Sequence, residues 1–414
     1  MGSVVQKRTK QIAWLFLLIY CTSYVMRINF AVMLVRVCSD MALGKSDLAI
    51  VVTALTVAYG VGQIASGFIG DKIKPQYLLT GGLILAVICN VAMFFCQTVP
   101  VMTVAWAVNG LAHAMLWPPM VRMISAYVPS DDYGYTTVRA SWGSSIGTIL
   151  MYLICPILLS FMGWRTIILC CAGMGAIVLV IWLALSPKLF GDEHLLIKVE
   201  KVAASDGKKA SALSIPRFVI FPIVFIMLGI VLQGMMRDGV TTWMPSFLLE
   251  TFNLPEDMSI MATVILAVFS MISFWLVDKL YVWMRRREVA CAAVVFGIAT
   301  VSAAALYVLN KFTSSVVGSM LLMAVLVGCM HGVNFLLIVV VPKNFAKYGK
   351  VSTMSGILNS CTYVGAAIAT SGFAALAEAT NSWTPTLFVW IMICLAGVAV
   401  CAIAMPTWRK FQDR

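Results

Sequence analysis

Twelve times along this chain, an apolar run of about 20 residues interrupts the polar sequence. The stretch from Thr166 to Leu185 is typical and carries no charged side chain. A helix rises 1.5 Å per residue, so each run can cross the roughly 30 Å of hydrocarbon in a bilayer. The runs lie near 11–37, 48–70, 76–96, 99–124, 136–162, 165–186, 217–249, 259–280, 288–309, 315–341, 351–377 and 384–406. Continuous runs of this length exclude a β-barrel, whose strands alternate over about ten residues. Only 11% of the residues are charged, against about 25% in a soluble domain. The expected fold is therefore an all-α polytopic membrane protein with twelve transmembrane helices. The first run has no small-residue cleavage site and is too long for a signal core, so it reads as the first span.

Loop charge predicts the orientation. Lys7, Arg8, Lys10, Lys72 and Lys74 fall on one side. The 187–216 loop with Arg217 at its end, the loops after spans 8 and 10, and the C-terminal end join them, bringing that side to 21 basic residues. The opposite loops hold Arg36, Lys45, Arg165 and Lys311. Positive-inside asymmetry places both termini in the cytoplasm. The net charge of +12 is then accounted for by cytoplasmic helix ends beside a lipid bilayer, and no nucleic-acid partner is expected. The twelve cysteines sit in apolar segments without metal-ligand spacing and read as packing residues.

The one long polar stretch, "SPKLFGDEHLLIKVEKVAASDGKKASALSIPR", divides the chain into bundles at 1–186 and 217–414, with a linker at 187–216. The halves repeat weakly. Arg27 is followed 20 positions later by Asp47, and Arg237 is followed 20 later by Asp257. The next span ends in Asp71-Lys72 in the first half and Asp278-Lys279 in the second. Two parallel six-span repeats with a substrate site at the midplane are a recurring transporter architecture.

Arg27, in "SYVMRINF", and Arg237, in "QGMMRDGVTTW", are charges inside apolar spans. Each costs roughly 2.5–3.5 kcal/mol on insertion scales. A guanidinium keeps its proton and forms two-pronged hydrogen bonds to phosphate or carboxylate. The two arginines are read as an anion-binding pair. The plainer alternative is that each pairs with a neighbour or with backbone carbonyls. Asp238 lies about 100° around the helix from Arg237 and is expected to be a poor partner, and spans 1 to 6 offer Arg27 no obvious buried carboxylate.

The stretch "YCTSYVMRINFAV" resembles span 1 of the organophosphate:phosphate antiporters, a major facilitator family that includes glycerol-3-phosphate and glucose-6-phosphate transporters. "AYGVGQIASGFIGDK", "NGLAHAMLWPPMVR", "MMRDGVTTWMPSFL", "GWR" at 163–165 and "CTYVGAAIA" extend the resemblance over most of the chain, with Trp117-Pro118-Pro119 the most specific piece. The resemblance implies two pseudo-symmetric six-helix bundles, a phosphate held by Arg27 and Arg237, and a pocket lined by Tyr20, Tyr24, Tyr59 and Tyr363. It also implies gating by Asp71, Lys72, Asp278 and Lys279, with ordinary loop charge as the alternative. The sequence departs from the family pattern at Ile28 and Gln63, where lysines are usual, and at Ser144, where some members have histidine. A less positive pocket leaves room for a monoanion such as a carboxylate. Arg139 is an added positive charge near the start of span 5; it is expected to sit at the cytoplasmic end and snorkel, the alternative being that it compensates for the missing lysines.

Gln63 shares a helix face with Tyr59, and His331 with Asn334, so both pairs join the expected pocket. His113, beside the proline pair, is expected to be a packing histidine satisfied by a neighbour. "GVGQIA" matches a dinucleotide fingerprint by letters only, since no strand precedes it. No catalytic constellation or cofactor site is evident. The expected function is transport of a small organic anion, a phosphorylated metabolite exchanged for inorganic phosphate, by a monomer in a bacterial inner membrane. One rival is a proton-coupled symporter of carboxylates or sugar acids, using His331 or Asp238. The other is a sugar-phosphate sensor that does not transport.

Overall fold

The computed structural model describes residues 2–43, 45–191, 215–313 and 315–413. Most of the predicted 187–216 linker lies outside the described residues. The helices of the first half are α1 (Gly2–Val32), α2 (Leu34–Met41), α3 (Lys45–Lys72), α4 (Pro75–Phe95), α5 (Val99–Ala114), α6 (Trp117–Tyr127), α7 (Tyr133–Leu159) and α8 (Trp164–Phe190). The second half contains α9 (Ile220–Phe252), α10 (Glu256–Ala262), α11 (Val264–Trp283), α12 (Glu288–Phe312), α13 (Val316–Asn334), α14 (Val351–Thr380) and α15 (Thr384–Gln412). Among the described residues, twelve helical segments are long and apolar enough to cross a membrane. The chain is thus an all-α, multi-pass integral membrane protein, as its apolar runs predict.

Prolines set several boundaries. Pro75 opens α4 at a position whose N–H has no helical partner anyway. Pro118 and Pro119 cannot donate to the preceding turn, so the fourth span breaks into α5 and α6 around Met115-Leu116. Large apolar side chains stand uncovered by protein: Phe161 and Trp283 are each 79% exposed and Phe95 is 69% exposed. Phe95 and Trp283 end their helices and Phe161 follows one, a placement that suits the interfacial aromatic belt of a membrane protein.

The residues cluster into two units. The first comprises Met1–Leu213 with Phe345–Ile357, and the second comprises Ser214–Asn344 with Leu358–Arg414. In the first unit α1 packs on α7, α3 on α5 and α4 on α8. Its core includes Met26, Phe30, Trp106 and Trp164, with Phe30 meeting the two indoles at 5.6 and 6.1 Å. In the second unit α12 and α9 pack on α15, and α11 packs on α13.

Close helix approach depends on glycine at two places that position the arginines. A Cβ at Gly147 of α7 would overlap the Cys21 carbonyl and the Tyr24 Cβ of α1. A Cβ at Gly234 of α9 would overlap the Thr362 carbonyl of α14. Small residues at such crossings are how membrane helices gain contact without a hydrophobic driving force.

Two buried polar clusters tie helices together. In the first unit Asn29 Nδ2 donates to Asn90 Oδ1 at 2.8 Å. Asn90 Nδ2 donates to Ala86 O at 2.9 Å and reaches Asn109 Oδ1 at 3.5 Å, and Asn109 donates to Met26 O. All three asparagines are fully buried. Asn90→Leu removes the central member and is expected to destabilise the protein by about 1 kcal/mol, read as a lower melting temperature in detergent. A melting temperature equal to wild type would show that the cluster adds nothing. In the second unit the buried Glu288 carboxyl accepts from Asn344 Nδ2 (2.7 Å), Trp408 Nε1 (3.0 Å) and Gln412 Nε2 (2.5 Å). Arg287 pairs with Asp413 beside it at 2.8 Å.

Candidate functional site

In the first unit Arg27 sits on α1 with its guanidinium carbon 4.7 Å from the Tyr24 ring centre and 4.3 Å from that of Tyr59 on α3. Contacts of this kind are worth about 0.5–2 kcal/mol, most when water is excluded. Tyr20, one turn earlier, meets Tyr24 edge-on at 5.2 Å and packs on Trp117 at 4.7 Å. Trp117 is the residue at which the proline pair restarts the helix. The proline break thus positions the aromatic wall around Arg27.

Two polar side chains near this arginine are buried without protein partners. Gln63, one turn beyond Tyr59, is fully buried, and neither amide atom is hydrogen-bonded among the described residues. His113 is 2% exposed with both ring nitrogens in the same condition. The expectation of a histidine satisfied by a neighbour therefore fails. Buried polar atoms without partners are rare, and at a binding site a ligand or water completes them.

In the second unit Arg237 lies near the middle of α9. Its Nε and Nη2 donate to the two carboxylate oxygens of Asp238 at 2.7 and 2.8 Å. This corrects the expectation that Asp238 is a poor partner. The 100° separation applies to the directions in which the side chains leave the helix. The long arginine stem lets the guanidinium curl back around the axis onto its neighbour. Gln233, one turn before Arg237, is fully buried with both amide atoms unbonded among the described residues. It has the same orphaned character as Gln63, and its i, i+4 spacing to the arginine was a legible signal.

His331 and Asn334 fall on α13 of the same unit. His331 meets Phe274 edge-on at 5.6 Å, and Asn334 Nδ2 has no partner among the described residues. Immediately beyond them the helix widens into a π-helical turn at Phe335–Val340, a distortion often found at functional sites. Tyr363 is half-buried on α14, beside the Thr362 carbonyl against which Gly234 packs.

The two charged motifs differ. Asp71, at the end of α3, accepts from the backbone N–H of Ser352 (2.9 Å) and Thr353 (2.8 Å), in the first turn of α14. A carboxylate at a helix N-terminus satisfies orphan donors and meets the favourable end of the helix dipole. Arg122 closes the same corner by donating to Gly70 O and Ile73 O at 2.5 and 2.9 Å. Lys72 is exposed. In the second motif Lys279 lies 4.2 Å from the Trp275 ring centre, and Asp278 is half-buried. Arg139 folds over the Tyr135 ring at 3.4 Å and donates to the Tyr135 carbonyl.

Comparison with known proteins gives these features a family context. The model of the Major Facilitator Superfamily matches residues 16–370. A glycerol-3-phosphate transporter of Bacillus subtilis is 22% identical over 95% of this chain and 91% of its own length. A probable hexose phosphate transport protein of Chlamydia muridarum is 28% identical, over 35% of this chain and 32% of its own length. The match thus spans about a third of that relative. Among solved structures, the proton:xylose symporter XylE superposes with a TM-score of 0.75 at 13% identity, covering 97% of this chain and 95% of that one. That likeness speaks to fold alone.

Proposed function

Because this chain belongs to the Major Facilitator Superfamily, we propose that it carries a small organic anion across its membrane by alternating access, with Arg27 and Arg237 as the groups that grip the anion. The observation that supports this most is the setting of the two arginines. Each lies inside an apolar span, and each unit also carries a fully buried amide with no hydrogen-bond partner among the described residues: Gln63 in the first unit and Gln233 in the second. Amides of this kind suit the hydroxyls and oxyanions of a polar solute. Tyr20, Tyr24, Tyr59 and Tyr363 supply the remaining wall, with His331 and Asn334 on α13.

The substrate is a phosphorylated metabolite, and inorganic phosphate is its exchange partner. The likeness to a glycerol-3-phosphate transporter and to a probable hexose phosphate transport protein supports that class. Inorganic phosphate presents the same oxyanion geometry to a guanidinium fork as a phosphate monoester. Asp71 and Lys72, with Asp278 and Lys279, act as gating groups at the cytoplasmic ends of spans 2 and 8. The two termini lie in the cytoplasm by the positive-inside rule, and the carrier works as a monomer in a bacterial inner membrane.

The test is exchange in proteoliposomes. Vesicles loaded with phosphate are expected to take up labelled glycerol 3-phosphate or glucose 6-phosphate faster than empty ones. Equal uptake by loaded and empty vesicles, across a panel of phosphate esters, would sink the exchange reading. Specific binding with no flux would select a sensor instead.

A further inference from the structure

We propose that Asp238 is a resident anion for Arg237: it occupies the arginine's fork when no substrate is bound, is displaced by the substrate's oxyanion, and so lets the empty carrier return. This rests on the transport reading above.

The argument starts from geometry. A carboxylate on the next residue takes both Nε and Nη2 of Arg237, at 2.7 and 2.8 Å. These two donors form the edge that a bidentate phosphate or carboxylate would use. Asp238 therefore stands where the substrate's oxyanion is proposed to go. The pair is shielded without being sealed, with side chains 15% and 30% exposed. Exchange of one anion for another on the fork is thus sterically open. A stem of one methylene keeps the carboxylate within reach after displacement.

The consequence concerns the unloaded protein. A guanidinium that must enter a closing, water-poor cavity without a counter-anion pays a large desolvation penalty. A carrier whose arginines lacked any internal anion would cross only when loaded and would be an obligate exchanger. Asp238 removes that penalty at Arg237. The carrier is then a facultative exchanger that also supports net flux. The same carboxylate competes with substrate and weakens its apparent affinity.

The experiment uses the full chain in proteoliposomes, with labelled inorganic phosphate as the probe. Two fluxes are compared: phosphate–phosphate exchange, and net efflux into phosphate-free buffer. Wild type is expected to show both. Asp238→Asn and Asp238→Ser are expected to lose net efflux by about tenfold or more relative to exchange. Exchange persists with a lower KM for phosphate, and Asp238→Glu restores net efflux. A vesicle-trapped pH indicator is expected to show no proton movement coupled to wild-type net flux. An unchanged ratio of net efflux to exchange in the neutral variants overturns the proposal. So does Asp238→Glu behaving like Asp238→Asn, or protons moving with net flux, which would make Asp238 a proton-coupling group. Wild-type vesicles that exchange no phosphate overturn the transport reading, and this proposal with it.

Discussion

Arg27→Lys and Arg237→Lys are each expected to cut transport of a phosphate ester by about two orders of magnitude. Both substitutions keep the positive charge. What they remove is the planar fork, since an ammonium offers a point charge with rotating donors. Disrupting one side of a buried, hydrogen-bonded charge pair costs about 2–5 kcal/mol, and each 1.4 kcal/mol is a factor of ten. Stability should change far less. A lysine at 27 keeps its interaction with the Tyr24 and Tyr59 rings, which lie 4.7 and 4.3 Å from the native guanidinium. Uptake measured beside melting temperature separates the two effects. Uptake within threefold of wild type for both lysine variants would mean that only the field of the charge matters, and the fork-based site would be wrong.

Glu288→Ala is expected to produce the largest loss of stability, about 3 kcal/mol. The carboxyl is fully buried and takes hydrogen bonds from three neutral donors on Asn344, Trp408 and Gln412. Its removal leaves the buried Trp408 indole N–H without this acceptor, while Asn344 and Gln412 keep only their longer bonds to Val341 O and Arg286 O, at about 1–3 kcal/mol for each donor that finds no substitute. The melting temperature in detergent should fall by roughly 5–10 °C. Glu288→Gln keeps an acceptor oxygen but turns an amide N–H toward other donors, so its effect should be intermediate. If Glu288→Ala melts like wild type, water replaces the carboxyl at no cost and the cluster is not a structural tie.

Much of this was legible in the sequence because a bilayer imposes simple constraints. Backbone groups in hydrocarbon must be satisfied within their own segment, so twelve apolar runs could only be twelve helices. The break at Pro118-Pro119 followed from two missing N–H donors. Arg27 and Arg237 stood out because charge in hydrocarbon is expensive. Other features were hidden for physical reasons. The Arg237–Asp238 pair depends on how a long side chain curls, which helical angles do not describe. Asp71 caps residues 281 and 282 positions away, and no local pattern encodes that partner. The π-turn at Phe335–Val340 has no local signature, since the apolar sequence there suits an ordinary helix equally well. Gln233, by contrast, was readable from its spacing and was missed.

The attachment of Asp71 to the start of α14 has a consequence for how the protein is made. The first unit includes a short peptide, residues 345–357, that is synthesised after most of the second. A ribosome that has delivered six spans to the membrane has therefore not yet produced the piece that completes them. If the gene were split within the central polar loop, the leading fragment would lack its own last component. Such a fragment is expected to be degraded quickly when made alone and to persist when the trailing fragment is produced in the same cell.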